Sequence, residues 1–282
     1  MLRILALVLI FALPAHADTV RLGDRSYRID LPPRAEGAPV ILALHGGGGG
    51  ADQFARNSGL SIPANRQGYA VIYPEGTGRA ATWNAGYCCG AARRQQVDDL
   101  AFLDAVIADA TARFGLNPAR IYMTGMSNGA MMAEAYAASR PGRLRAVAGV
   151  AGTMDTGRFT PSSGVPLLHI HGTEDGMVPY GGGRGESSVT RVPFSSVASV
   201  EAGFLAPFSG MSRSERIIDP SADGMRVIER NHIDASGVTQ VRIQTVEGGG
   251  HAWPGSRRAP RQGGSRDIAA NTEILRFFAE HP

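Results

Sequence analysis

The chain has 282 residues, a formal charge of +3 and a pI near 9.1; apolar residues make up 43% of it, enough for the core of one domain of α/β size. All 28 basic residues are arginine, and the absence of lysine excludes Schiff-base chemistry, a pyridoxal lysine and the Gly-Lys-Ser/Thr phosphate loop. The positive charge is small and dispersed, which argues against nucleic acid as a partner.

At the start, Arg3 precedes an apolar run over residues 4–13, and Pro14-Ala15-His16-Ala17 follows. A charged start, a short apolar stretch and an Ala-x-Ala end read as a secretory signal peptide, cleaved before Asp18. The run is shorter than the ~20 residues a bilayer-spanning helix needs. No cysteine stands at the cleavage point, so no membrane or lipid anchor is expected. Residues 18–282 are expected to form one exported domain, secreted or periplasmic.

Residues 26–31 read as an edge strand closed by Pro32-Pro33. Residues 40–44 and 70–73 are short all-apolar runs, the pattern of strands buried on both faces of a parallel sheet. The first ends in His45 and five glycines, the second in Pro74-Glu75-Gly76. Leu100, Leu103, Ile107, Ala110 and Phe114 recur at helical spacing and predict one apolar face of a long helix, stopped by Gly115. A strand over 120–124 and a helix over 127–140 follow. Further strands are predicted over 146–151, 165–170 and 238–246, with helices over 195–208 and 267–280. Strands alternating with helices predict an α/β fold: a mostly parallel central sheet, helices on both faces and no large cap domain. Ligands of such sheets bind beyond the carboxyl ends of the strands, so function is expected in the loops there.

Gly125-Met126-Ser127-Asn128-Gly129 is the only G-x-S-x-G in the chain. It falls between a predicted strand and a predicted helix. This is the setting in which a sharp turn holds a nucleophilic serine exposed in the α/β-hydrolase fold. A serine hydroxyl needs a base. His251 suits it, on the glycine loop that follows the last predicted strand. His16 lies in the signal, His281 at the terminus, and His232 is expected before its strand, at the wrong end. The acid should follow a strand between the two. Asp175 is preferred, Glu174 is the runner-up, and Asp155 is third. The carboxylate accepts the imidazole N–H and fixes its tautomer. The developing oxyanion needs two N–H donors, expected from Asn128 and from the glycine loop at Gly47. His45 is expected to shape that loop. His169 and His171 alternate along one strand face, but a catalytic zinc site usually has three protein ligands and no third accompanies them. No metal and no cofactor are expected.

With those residues in view, the chain resembles the polyhydroxybutyrate-depolymerase-like esterases, which include feruloyl and acetyl-xylan esterases. The resemblance runs over nearly the whole mature chain. It is carried by Leu44-His45-Gly46-Gly47-Gly48, Tyr73-Pro74-Glu75-Gly76, Trp83-Asn84-Ala85-Gly86 with Cys88-Cys89-Gly90, and Val97-Asp98-Asp99. The serine motif, His171-Gly172-Thr173-Glu174-Asp175 with Val178-Pro179-Tyr180, and Gly250-His251-Ala252-Trp253-Pro254-Gly255 complete it. The family's triad falls on Ser127, Asp175 and His251. The resemblance implies short-acyl or hydroxycinnamoyl esters, not long lipids; hydroxyalkanoate oligomers are a further candidate class.

Two other readings stand beside the ester hydrolase: a non-catalytic binding protein on the same scaffold, and a serine peptidase. Trp83, Tyr87 and Trp253 are candidates to wall a pocket for small or oligomeric ester substrates, with core packing as the alternative. The arginines between 257 and 266 are candidates to attract anions, with a solvated loop as the alternative. The sequence leaves the oligomeric state open. Cys88 and Cys89 are adjacent and are the only cysteines. An oxidising compartment favours a vicinal disulfide. The ~3.8 Å between Cα atoms across a trans peptide opposes one.

Overall fold

The computed structural model describes residues 17–282, so the predicted signal peptide lies outside the described residues apart from the backbone of Ala17. The elements in chain order are β1 (Ala17–Leu22), β2 (Arg25–Asp30), β3 (Val40–Leu44), α1 (Ala51–Ser58), α2 (Ser61–Arg66), β4 (Ala70–Pro74), α3 (Gly90–Arg94), α4 (Asp99–Phe114), β5 (Ile121–Met126) and α5 (Asn128–Ser139). After these come β6 (Ala146–Val150), β7 (Leu167–Gly172), α6 (Val197–Leu205), β8 (Ser212–Ile218), β9 (Arg226–Ile233), β10 (Thr239–Glu247) and α7 (Ala270–Ala279). Among the described residues the strands form one sheet in the order β1-β2-β4-β3-β5-β6-β7-β10-β9-β8. The strands from β4 to β10 in that order run parallel. At one edge β2 and β1 are antiparallel, and at the other β9 and β8.

The all-apolar strands have the physical cause the sequence suggested. Every residue of β3 is buried, because successive side chains point into two different layers. Leu42 joins Leu103, Val106, Met132 and Leu167 on one side of the sheet. Its neighbour Ile41 joins Tyr122, Leu168, Ile274 and Phe278 on the other. Burying a Val, Leu or Ile in this way contributes roughly 1.5–3 kcal/mol relative to exposure. On α4, Leu103, Ile107 and Ala110 are buried together with Val106, while Leu100 and Phe114 at the ends are half-buried.

Several elements differ from the sequence expectation. β1, β8 and β9 and the short helices α1, α2 and α3 were not anticipated. β8 carries Arg213, Glu215 and Arg216 and is almost wholly exposed, so no apolar pattern marks it. A charged edge of this kind resists pairing with other chains. His232 lies within β9 and not before a strand. β9 runs antiparallel to β10, so His232 still sits at the end of the sheet away from the loops after β7 and β10. There it bonds Glu201 at 2.7 Å.

Candidate active site

Three loops after parallel strands bring the expected residues together. Ser127 follows β5 directly and has φ 56° and ψ −124°, a region that non-glycine residues rarely occupy. Its backbone N–H donates to Val150 O at the end of β6 (2.8 Å). The turn is tight because Gly129 passes directly under the end of β3: a Cβ there would lie 2.2 Å from Leu44 O. α5 therefore starts at Asn128, with Ser127 as its N-cap.

The glycine loop after β3 is shaped by His45, which is buried. Its Nδ1–H donates to Gly46 O (2.8 Å) and its Nε2 accepts the Gly76 N–H (2.9 Å). These partners specify one neutral tautomer, and burial pushes the imidazole below the ordinary histidine range. The backbone N–H groups of Gly47 and Asn128 donate to no protein acceptor among the described residues. Asn128 uses its side chain instead to clamp Trp83, accepting from Trp83 N (2.7 Å) and donating to Trp83 O (3.1 Å).

The loops after β7 and β10 are stitched to one another by Thr173 N–H to Val246 O (3.0 Å), Glu174 N–H to Gly249 O (2.8 Å) and Gly248 N–H to Thr173 Oγ1 (2.9 Å). The stitching places His251 Nδ1 2.7 Å from Asp175 Oδ2. Asp175 Oδ1 accepts the N–H groups of Met177 and Val178, both at 2.9 Å. Burial alone would raise the Asp175 carboxyl. The hydrogen bonds and charge of His171 and His251 outweigh it and hold the group well below the usual carboxylate range. Glu174, by contrast, is exposed, and Asp155 accepts from Tyr87 N–H at 2.9 Å, away from His251. Ser127 and His251 face one cavity of about 290 Å³, with polar neighbours Gln53, Asn57 and Gln262. Among the described residues the one side-chain hydrogen bond of His251 is to Asp175, and none joins it to Ser127. A second cavity of about 450 Å³ is also lined by Ser127, and is walled by Met131, Val178 and Phe194 with Cys88 and Cys89.

Known proteins resemble this chain in sequence and in fold. The model of the esterase PHB depolymerase family matches residues 25–172. A protein of Nocardia uniformis subsp. tsuyamanensis named as an esterase, NocK, is 33% identical over 82% of this chain and 71% of its own length. This chain belongs to the esterase PHB depolymerase family. Feruloyl esterase B of Piromyces equi is 28% identical to this esterase over 76% of the chain, but only 40% of that relative is covered. An acetyl xylan esterase from Aspergillus awamori superposes with a TM-score of 0.62 at 13% identity, covering 94% of this chain and 99% of the other. The esterase therefore has the α/β-hydrolase fold. Among its described residues no helix is long and apolar enough to cross a membrane.

The three aromatic residues singled out in the sequence have different fates in this esterase. Trp253 lines the smaller cavity, with its Nε1–H on Asn271 (3.0 Å) and its ring edge-on to Phe54. Trp83 is a correction: it is fully buried, and its indole N–H donates to His45 O at 2.9 Å, so it braces the glycine loop from behind. Tyr87 is a second correction. It packs edge-on against Phe194, which lines the larger cavity, and its hydroxyl donates to Thr153 O. Both rings support walls without being walls.

Cys88 and Cys89 are joined by a disulfide, and the peptide bond between them is cis, where the sequence reading assumed trans. The unreduced protein is expected to be two hydrogens lighter than its reduced form by intact mass. Two titratable thiols in denatured, unreduced protein from its native compartment would refute the bond.

Proposed function

We propose that this esterase hydrolyses short-acyl or hydroxycinnamoyl esters, or hydroxyalkanoate oligomers, through an acyl-enzyme on Ser127. The observation that carries the reading is the His251 Nδ1–Asp175 Oδ2 bond of 2.7 Å, with Ser127 at the meeting point of two cavities. Nδ1 donates to Asp175, which leaves Nε2 free to accept a proton. His251 Nε2 takes the Ser127 proton as Oγ attacks the carbonyl carbon. The Gly47 and Asn128 N–H groups receive the oxyanion, each such donor being worth about 10²–10³ in rate. His251 then returns the proton to the departing alcohol. Water repeats the sequence on the acyl-enzyme, releasing the acid and restoring Ser127.

The larger cavity, lined by Met131, Val178 and Phe194, suits the apolar acyl part; the smaller, with Gln53, Asn57 and Gln262, suits a polar alcohol part. The feruloyl esterase among the relatives supports the hydroxycinnamoyl part of this reading. Purified protein is expected to hydrolyse p-nitrophenyl acetate, and then one or more of methyl ferulate, acetylated xylan and hydroxybutyrate oligomers. Folded protein inert towards all four would leave the binding-protein reading in its place. Export is part of the proposal, and the intact mass of the exported chain reads it directly, since it should begin at Asp18.

A further inference from the structure

Behind Asp175 runs a line of buried polar groups that the steps above do not use. Glu134 lies on α5, in a segment where every side chain from Asn128 to Ala138 is buried. Its Oε2 accepts the Met154 N–H (2.9 Å), and its Oε1 lies 2.7 Å from His169 Nδ1. His169 Nε2 lies 3.1 Å from His171 Nδ1. His171 Nε2 lies 2.8 Å from Val178 O and 3.4 Å from Asp175 Oδ2, the oxygen that also meets His251. Glu134 and His169 are 0% exposed and His171 is 1% exposed.

Counting protons along this line defines its state. A carbonyl only accepts, so the Val178 contact requires a proton on His171 Nε2. The contacts between His169 and His171 and between Glu134 and His169 each require one as well. Two neutral imidazoles carry only two protons between them. The third sits between Glu134 and the imidazoles, either as a protonated acid or as an imidazolium beside a carboxylate. In both states the line is neutral overall and presents an N–H towards Asp175. The opposite His171 tautomer would set a lone pair against Val178 O and Asp175 Oδ2 and repel both.

The packing is arranged around this contact. Gly149 on β6 leaves the space that Glu134 and His169 fill: a Cβ there would lie 2.2 Å from Glu134 Oε1. Apolar side chains of similar volume would serve a purely structural role at lower desolvation cost, since buried charge is weak support for stability.

We propose that Glu134, His169 and His171 are positioning residues for ester hydrolysis. The line holds His171 with its N–H towards Asp175 Oδ2 and so orients that carboxylate towards His251. The inference rests on the triad reading above.

The test compares His171→Leu, Glu134→Leu and Glu134→Gln with the parent enzyme on p-nitrophenyl acetate, with circular dichroism as the folding control. His171→Leu and Glu134→Leu should each lower kcat on the order of 10²-fold with KM unchanged, the loss expected when a catalytic group is misplaced by about 1 Å. Glu134→Gln supplies an amide N–H to His169 Nδ1, completes the proton count, and should recover most of the Glu134→Leu loss. Folded His171→Leu enzyme with parental kcat overturns the proposal, and so does Glu134→Gln no better than Glu134→Leu. If His171→Leu does not fold, the Glu134 pair decides. Ser127→Ala keeps the two readings apart. Inactive Ser127→Ala with parental His171→Leu refutes the positioning line alone, whereas active Ser127→Ala refutes the nucleophile.

Discussion

Ser127→Ala is expected to lower kcat on p-nitrophenyl esters by ~10⁴ or more while the protein folds as before. The first half follows from the proposed mechanism, in which the substitution removes the attacking oxygen and leaves only the N–H donors and binding. The second half follows from the turn. Among the described residues the Ser127 side chain makes no hydrogen bond, and the positive φ is imposed by packing around it. Alanine keeps the Cβ, so the same backbone is held at the same cost. His251→Ala should lose a comparable factor, since without a base the hydroxyl stays a weak nucleophile. Ordinary turnover by folded Ser127→Ala would sink the assignment, and an unchanged far-ultraviolet spectrum and melting temperature would exclude unfolding as the cause of a loss.

The sequence was legible where one physical rule acts alone. β3, β4 and β6 are buried on both faces, so their apolar runs announce a parallel sheet. That Ser127, Asp175 and His251 would lie near one another was legible because each follows a strand at the end of the sheet where loops carry function. β8 was not, because an edge strand that faces water has no apolar period to show. Trp83 stood open between pocket wall and core packing because a sequence gives the place of an indole and not the direction of its N–H, which here points inward to His45 O. Glu134 carries a signal of its burial in the sequence. It is the one acidic residue in a helix otherwise made of small, apolar and amide side chains with one tyrosine, and a helix apolar on every face is buried. A carboxylate in such a helix must have a partner. The partner lies on β7, two elements further along, and spacing along the chain does not reveal it.

Asp175→Asn is expected to cost nearly as much as loss of the nucleophile, ~10⁴ in kcat, with the geometry of the site retained. The reason lies in what each oxygen of Asp175 faces. Oδ1 accepts two backbone N–H groups, from Met177 and Val178. An asparagine would therefore place its carbonyl oxygen there and its amide NH₂ where Oδ2 now stands. Oδ2 meets the Nδ1–H of His251 and lies near the Nε2–H of His171, so the amide would set donor against donor at both. His251 can relieve its share by moving its proton to Nε2, and the bare Nδ1 then accepts from the amide. That tautomer presents an N–H to Ser127 and cannot take the serine proton. His171 has no such escape, because Val178 O keeps the proton on its Nε2. Glu174→Gln should leave kcat within about threefold of the parent, since an exposed carboxylate with no contact to His251 has little to lose. Steady-state kinetics on the two variants decide between the acids: a larger loss in Glu174→Gln than in Asp175→Asn would move the role to Glu174 and leave the 2.7 Å contact at Asp175 without a catalytic function.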